Sequence, residues 1–118
     1  MYQKKLLEHF KNSLYRGVVS NPDFSSGKHI PSCGDSISIT GTIKNRIITD
    51  IKFEGTGCIL SQAAASMLAD LVKGKMVSEV QNLTSDDMMN LIGVQLGPNR
   101  AQCVFLPLQA LQAGLSHA

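Results

Sequence analysis

Three cysteines and one aspartate hold most of the chemistry open to this chain. Cys33 stands in Pro31-Ser32-Cys33-Gly34-Asp35, with Asp35 two residues on. Cys58 stands in Gly55-Thr56-Gly57-Cys58-Ile59-Leu60-Ser61, between a glycine turn and an alanine-rich stretch. Cys103 opens the last apolar segment. Thiolates, not thiols, bind metals and attack electrophiles. The partial positive charge of a helix N-terminus favours the thiolate, and Cys58 and Cys103 both read as lying near helix starts. Three sulfur ligands suit zinc, or iron in an iron–sulfur cluster. Gly34 would let the chain turn Cys33 and Asp35 toward one centre. Gly55 and Gly57 would let backbone approach a bulky inorganic group with no Cβ in the way. Spacing alone leaves a plainer reading open. Three single cysteines without a CxxC pair can be unrelated buried residues, and glycines after a strand can be only a turn.

The elements that must position these residues follow from periodicity. Tyr2, Leu6, Phe10 and Leu14 fall at helical spacing, so residues 2–12 read as an amphipathic helix docked on the domain. Residues 20–34, rich in Ser, Gly and Pro, read as a loop. His29 in that loop is read as a solvated surface residue, with metal ligation as the alternative. In DSISITGT, Ile37 and Ile39 alternate with Ser36, Ser38 and Thr40. In IITDIKF, Ile47, Thr49, Ile51 and Phe53 share one face, with Asp50 and Lys52 on the other. Joined by Lys44-Asn45-Arg46, these segments make an antiparallel hairpin.

From Cys58 the period changes from 2 to 3.6. Leu60, Ala64, Met67, Leu68 and Leu71 form a core stripe, opposite Gln62, Ser66, Asp70 and Lys73, and Gly74 closes the helix. A short helix is expected near Ser78–Leu83. Thr84 or Ser85 caps another that carries Asp86 and Asp87 in its first turn and ends at Gly93. VQLGPNR reads as a loop. The last helix is expected from near Cys103 to Ala113, starting at about Val104 so that Pro107 falls in its first turn; a kink at Pro107 is the alternative. The fold class is α+β. A small antiparallel sheet of about three strands packs against several helices, with a helix first.

The 118 residues fit a single domain, 1–118. A net charge of +2 with no dense Lys/Arg run leaves no electrostatic footprint for nucleic acid or an anionic membrane. With aromatics at 5% and no tryptophan, stacking platforms for single strands are not expected. No apolar run suits a signal peptide or a membrane span, so a reducing, cytoplasmic location is expected. There, spaced cysteines serve metal or catalysis more often than disulfides.

These residues also carry a resemblance. The chain is similar to the U-type iron–sulfur cluster assembly scaffolds, the family of IscU, the NifU N-terminal domain and SufU. YQKKLLEHFKN, Tyr2 through Asn12, resembles the family's opening helix with its His-aromatic-x-Asn. Pro31-Ser32-Cys33-Gly34-Asp35 resembles its P-x-C-G-D. Phe53 through Ser61 resembles its strand and glycine-cysteine turn, and Val72-Lys73-Gly74-Lys75 its V-x-G-K. Cys103 takes the third cysteine position.

The resemblance implies a scaffold that accepts sulfur from a cysteine desulfurase, combines it with iron as a [2Fe–2S] cluster, and passes that cluster to acceptor apoproteins. It implies Cys33, Asp35, Cys58 and Cys103 as ligands, with zinc in the same place when iron is absent. One segment departs from the pattern. The IscU branch has L-P-P-V-K-x-H-C, where this chain has Leu96-Gly97-Pro98-Asn99-Arg100-Ala101-Gln102-Cys103. An Hsp70-type chaperone partner is therefore not carried over. Pro98-Asn99-Arg100 is similar to a spacing in the SufU branch, but the long insertion of that branch is missing, which leaves the branch open.

Two further readings stand beside the scaffold. One is a zinc-bound protein that relays persulfide sulfur and holds no cluster. The other is a cysteine-dependent enzyme, ranked third because none of His9, His29 and His117 sits in a recognisable catalytic motif.

Overall fold

Alternating isoleucines build the centre of the sheet. In the computed structural model, which describes Glu8 and residues 14–30, 35–57, 59–93 and 97–116, β1 (Phe24–Ile30), β2 (Asp35–Lys44) and β3 (Ile47–Thr56) form one antiparallel sheet in that order. Four helices follow: α1 (Ile59–Val72), α2 (Val77–Gln81), α3 (Ser85–Ile92) and α4 (Pro98–Ser116). The fold is α+β, as expected. The opening helix expected over residues 2–12 lies outside the described residues except for Glu8, which is helical and exposed.

Ile37 and Ile39 of β2 and Ile51 and Phe53 of β3 are buried against α1 and α4. A two-residue turn joins these strands. Asn45 and Arg46 both have positive φ, 54° and 65°, and Lys44 pairs with Ile47. Two such residues give a hairpin turn whose twist matches that of its strands.

The single inward face expected for Ile47, Thr49, Ile51 and Phe53 holds only in its second half. The ladder steps from Thr42↔Asp50 to Ile43↔Ile48, leaving Thr49 as an extra residue in β3. Such a bulge shifts the alternation by one. Ile48 is therefore fully buried while Ile47 is 37% exposed. The Thr49 hydroxyl lies 2.7 Å from that of Thr42 across the bulge.

Residues 24–30 form the edge strand β1, where the composition reads as loop. Its ladder to β2 runs unbroken from Phe24↔Gly41 to Ile30↔Asp35. Backbone hydrogen bonds ask nothing of side chains, so an edge strand of serine, glycine and lysine can pair without an apolar alternation. Phe24 is anchored deep in the core.

α1 buries more than one stripe. Ala63, Ala64, Ala65, Met67, Leu68, Ala69 and Val72 are all buried, and so is Ser66, expected on the solvent face. The helix packs against β3, α3 and α4 together, and its small side chains permit that close approach. Thr84 caps α3 as expected. Its hydroxyl accepts from the Asp87 N–H while the Asp87 carboxylate accepts from the Thr84 N–H, a reciprocal capping box. Gly93 ends α3 at φ 76°.

α4 corrects a boundary. It begins at Pro98 rather than near Val104 and runs through Pro107 to Ser116. Proline suits the first helical position, where its missing N–H has no intrahelical acceptor to serve. At Pro107 the helix continues without the bond that an N–H there would give to the carbonyl of Cys103. Burial of Val104, Leu106, Leu108 and Leu111 around the proline holds the helix together across that gap.

Candidate functional site

The strand ends that flank Cys33, Asp35 and Cys58 lie at the end of the sheet opposite the Asn45–Arg46 turn. Ile30 and Asp35 pair across the last rung of β1 and β2. Ser36 pairs with Thr56, and the hydroxyls of these two residues are 3.0 Å apart. The connection holding Cys33 therefore starts at the end of β1 and ends on β2 beside the end of β3, from which the chain enters α1 through residue 58. Cys33 and Cys58 themselves lie outside the described residues, and Asp35 is described for its backbone only.

Cys103 stands on α4, which packs on β1 and β2. Near the C-terminus of that helix, Gly114 lies against Ser26 and Phe24, and Leu115 adjoins Asp23, Ile43 and Arg46 near the hairpin turn. Cys103 lies eleven residues before Gly114, about 16 Å along the helix at about 1.5 Å per residue.

The setting of Cys103 differs from a place at a helix start. Its side chain is only 7% exposed, so it is not open to solvent. It also lies well past the first turn of α4, where the N-terminal partial charge has faded, because the helix starts five residues earlier than Cys103 itself. Its neighbour Gln102 is exposed. Among the described residues no three of His, Cys, Asp and Glu cluster as a metal site.

Gly55 makes no room for a ligand. A Cβ there would lie 2.5 Å from Ile37 Cδ1 and 2.6 Å from the Ser36 carbonyl oxygen, so its missing side chain serves the packing of β3 on β2. Gly57 differs. Its φ of 119° lies in a region that side-chain-bearing residues rarely adopt. Its carbonyl accepts a hydrogen bond from Gln62 Nε2 at 3.2 Å. Gln62 Oε1 in turn accepts from Arg16 Nη1 at 2.6 Å. Sequence reasoning missed this pair. Forty-six residues separate them, and Gln62 reads as an ordinary solvent-facing helix residue.

The segment bearing Arg16 is tied to both the sheet and α1. Phe53 N–H donates to the Tyr15 carbonyl and Gly17 N–H donates to the Phe53 carbonyl, each at 2.8 Å. The Tyr15 hydroxyl donates to Asp70 Oδ1 at 2.8 Å. That hydrogen bond, with burial and the Asp70 charge adding to it, raises the Tyr15 pKa above its ordinary 10.0. The folded chain thus keeps its phenol proton at a pH where the unfolded chain has lost it. The resulting stability is complete below pH 10.0 and is lost as pH rises through the raised value. Tyr15→Phe should lower the urea midpoint at about pH 8 and flatten its fall toward about pH 11. Parallel falls in both proteins would remove Tyr15 as the source.

His29 lies on the other side of the sheet. It pairs with Ser36 and shares the polar outer face with Ser38 and Glu54, while Ile37 and Ile39 face the helices. It lines an open cleft of about 770 Å³ on that face and is exposed. α4 packs against the opposite face.

A three-stranded antiparallel sheet packed against α1 and α4 defines an α+β domain. Residues 1–117 match the family described as NifU-like N terminal domain, and the chain belongs to that family. It is 32% identical to the zinc-dependent sulfurtransferase SufU of Bacillus subtilis, over 98% of this chain and 90% of that one. That comparison spans 133 positions, more than the 118 residues here, so it must open gaps in this chain. The chain is 33% identical to the iron–sulfur cluster assembly scaffold protein IscU of Aquifex aeolicus, over 97% of this chain and 73% of that one. Among solved structures it resembles a SufU-type protein of Fervidobacterium islandicum with a TM-score of 0.83, 24% identity, and coverage of 95% and 94%. The expected family is thus the one found. Among the described residues no helix is long and apolar enough to cross a membrane.

Proposed function

We propose that this domain assembles a [2Fe–2S] cluster from iron and desulfurase-derived sulfur and passes it to acceptor apoproteins, with Cys33, Asp35, Cys58 and Cys103 as the ligands. One observation supports the reading: the strand ends that flank Cys33, Asp35 and Cys58 pair at one end of the sheet, Ile30 with Asp35 and Ser36 with Thr56. Three thiolates and one carboxylate suit iron with sulfide, and they suit zinc equally. Bound zinc would hold the thiolates deprotonated and close together. The chain's own contribution is to bury Cys103, leaving one side of the site dry. His29, exposed on the outer face, is left out of the ligand set.

The scaffold acts on a cluster as cargo and catalyses no turnover of its own. Anaerobic reconstitution with ferrous iron, cysteine, a cysteine desulfurase and an excess of a thiol reductant, which brings the persulfide sulfur to sulfide, tests this. A brown protein with about two iron and two labile sulfide per chain, able to load an apoferredoxin, is the expected result.

A second reading is favoured by the extensive match to a relative named a zinc-dependent sulfurtransferase. In that case zinc is resident and the chain relays persulfide sulfur. A colourless protein that holds one zinc, accepts sulfur from the desulfurase and takes up no iron would establish the relay and reject the scaffold.

A further inference from the structure

We propose that Arg16 and Gln62 are positioning residues that clamp the turn leading into Cys58. The inference rests on the reading of Cys58 as a ligand and assigns a task to two residues outside that set. The clamp is a chain of two hydrogen bonds. Arg16 Nη1 donates to Gln62 Oε1 at 2.6 Å, and Gln62 Nε2 donates to the Gly57 carbonyl at 3.2 Å.

The order of that chain follows from its chemistry. A guanidinium has donors only, so it takes the oxygen of the Gln62 amide and leaves the NH2 group facing Gly57. Arginine therefore sets which end of the glutamine meets the turn. The first bond is charge-assisted and so the stronger of the two. Arg16 is itself held. The backbone on either side of it is bonded to Phe53, Tyr15 is bonded to Asp70, and its guanidinium carbon lies 5.4 Å from the centroid of the Phe53 ring.

The turn needs such a hold. Gly57 has φ 119°, a conformation with no side chain to lock it. The Gly57 carbonyl belongs to the planar peptide that joins Gly57 to residue 58. Fixing that oxygen fixes the plane through which the chain enters the cysteine. Groups that orient metal ligands in this way typically change metal affinity by about 10–100-fold when removed.

The test uses the full-length chain and four variants: Gln62→Leu, Gln62→Glu, Arg16→Ala and the double variant Arg16→Ala/Gln62→Leu. Hydrogen exchange of peptides spanning residues 55–60 is read on the metal-free protein. Zinc affinity is read by competition with a chromogenic chelator, and thermal melting accompanies both. Gln62→Leu should speed exchange in that segment and weaken zinc by about 10–100-fold, with little change in melting temperature. Gln62→Glu should do the same. It keeps and strengthens the contact with Arg16 but sets an oxygen against the Gly57 carbonyl. Arg16→Ala should have a smaller effect, and the double variant should add little to Gln62→Leu.

Wild-type exchange over residues 55–60 in Gln62→Leu would overturn the clamp, as would a Gln62→Glu variant that matches wild type. Undiminished zinc affinity in Cys58→Ser would overturn the ligand reading beneath it. The two failures are separable, because exchange is measured without metal.

Discussion

Cys103→Ser is expected to weaken zinc binding by about two orders of magnitude while leaving the fold in place. Structural zinc in small domains contributes roughly 10–16 kcal/mol, so one ligand of four accounts for roughly 3 kcal/mol, about a hundredfold. Serine fills nearly the same space, and Cys103 is buried at 7% exposure. Its hydroxyl does not ionise near neutral pH and so cannot replace a thiolate ligand. Chelator competition and zinc analysis of the purified variant check the result. Binding at wild-type strength, with an unchanged circular-dichroism melt, would show that the buried thiol is core packing and that the metal lies elsewhere. The same variant bears on the scaffold and on the relay, since both need Cys103 at the sheet end.

Gly41→Ala should cost about 3 kcal/mol, roughly 10 °C in melting temperature. A Cβ at this position would overlap the Phe24 ring and would lie 2.6 Å from the Asp50 carbonyl oxygen. The ring could turn aside only by leaving its core position, where Phe24 is 3% exposed. The carbonyl belongs to β3 and cannot move without disturbing the ladder beside the bulge. Gly97→Ala is the control. Nothing lies within 4 Å of a Cβ built there, so its effect should stay within about 0.5 kcal/mol. Equal melting temperatures for the two variants would mean that the sheet relaxes around Gly41 more easily than its contacts imply.

The parts of the fold legible in the sequence are those where one local pattern decides the structure. Ile37 and Ile39 alternate because one face of β2 is buried, and Thr84 with Asp87 spells a capping box within four residues. What escaped depends on distant partners. β1 pairs through its backbone, so Ser25, Ser26 and Gly27 leave no trace of a strand. The bulge at Thr49 arises from the register of two strands, and alternation within β3 alone cannot reveal it. Pro107 suggested a later helix start because the stabilising burial around it is tertiary. For the site, residue types and the family motifs marked Cys33, Asp35, Cys58 and Cys103. The contact from Arg16 through Gln62 to Gly57 has no signature at the level of spacing.

The order of elements also sets an order in time. The turn at Asn45 and Arg46 lets β2 and β3 meet by closing a very short loop, an event of microseconds for a hairpin. Its closure brings Ser36 beside Thr56, and with them the chain on either side of two of the three cysteines. A lone hairpin does not persist in water, but α1 follows at once in sequence and supplies an apolar cover. The third cysteine is made 45 residues after Cys58, a delay of roughly 2–9 s at about 5–20 residues per second. During synthesis the hairpin thus precedes α4 by seconds. A nascent chain in that interval has only two of its thiols to offer a metal ion, and α4 completes the set last.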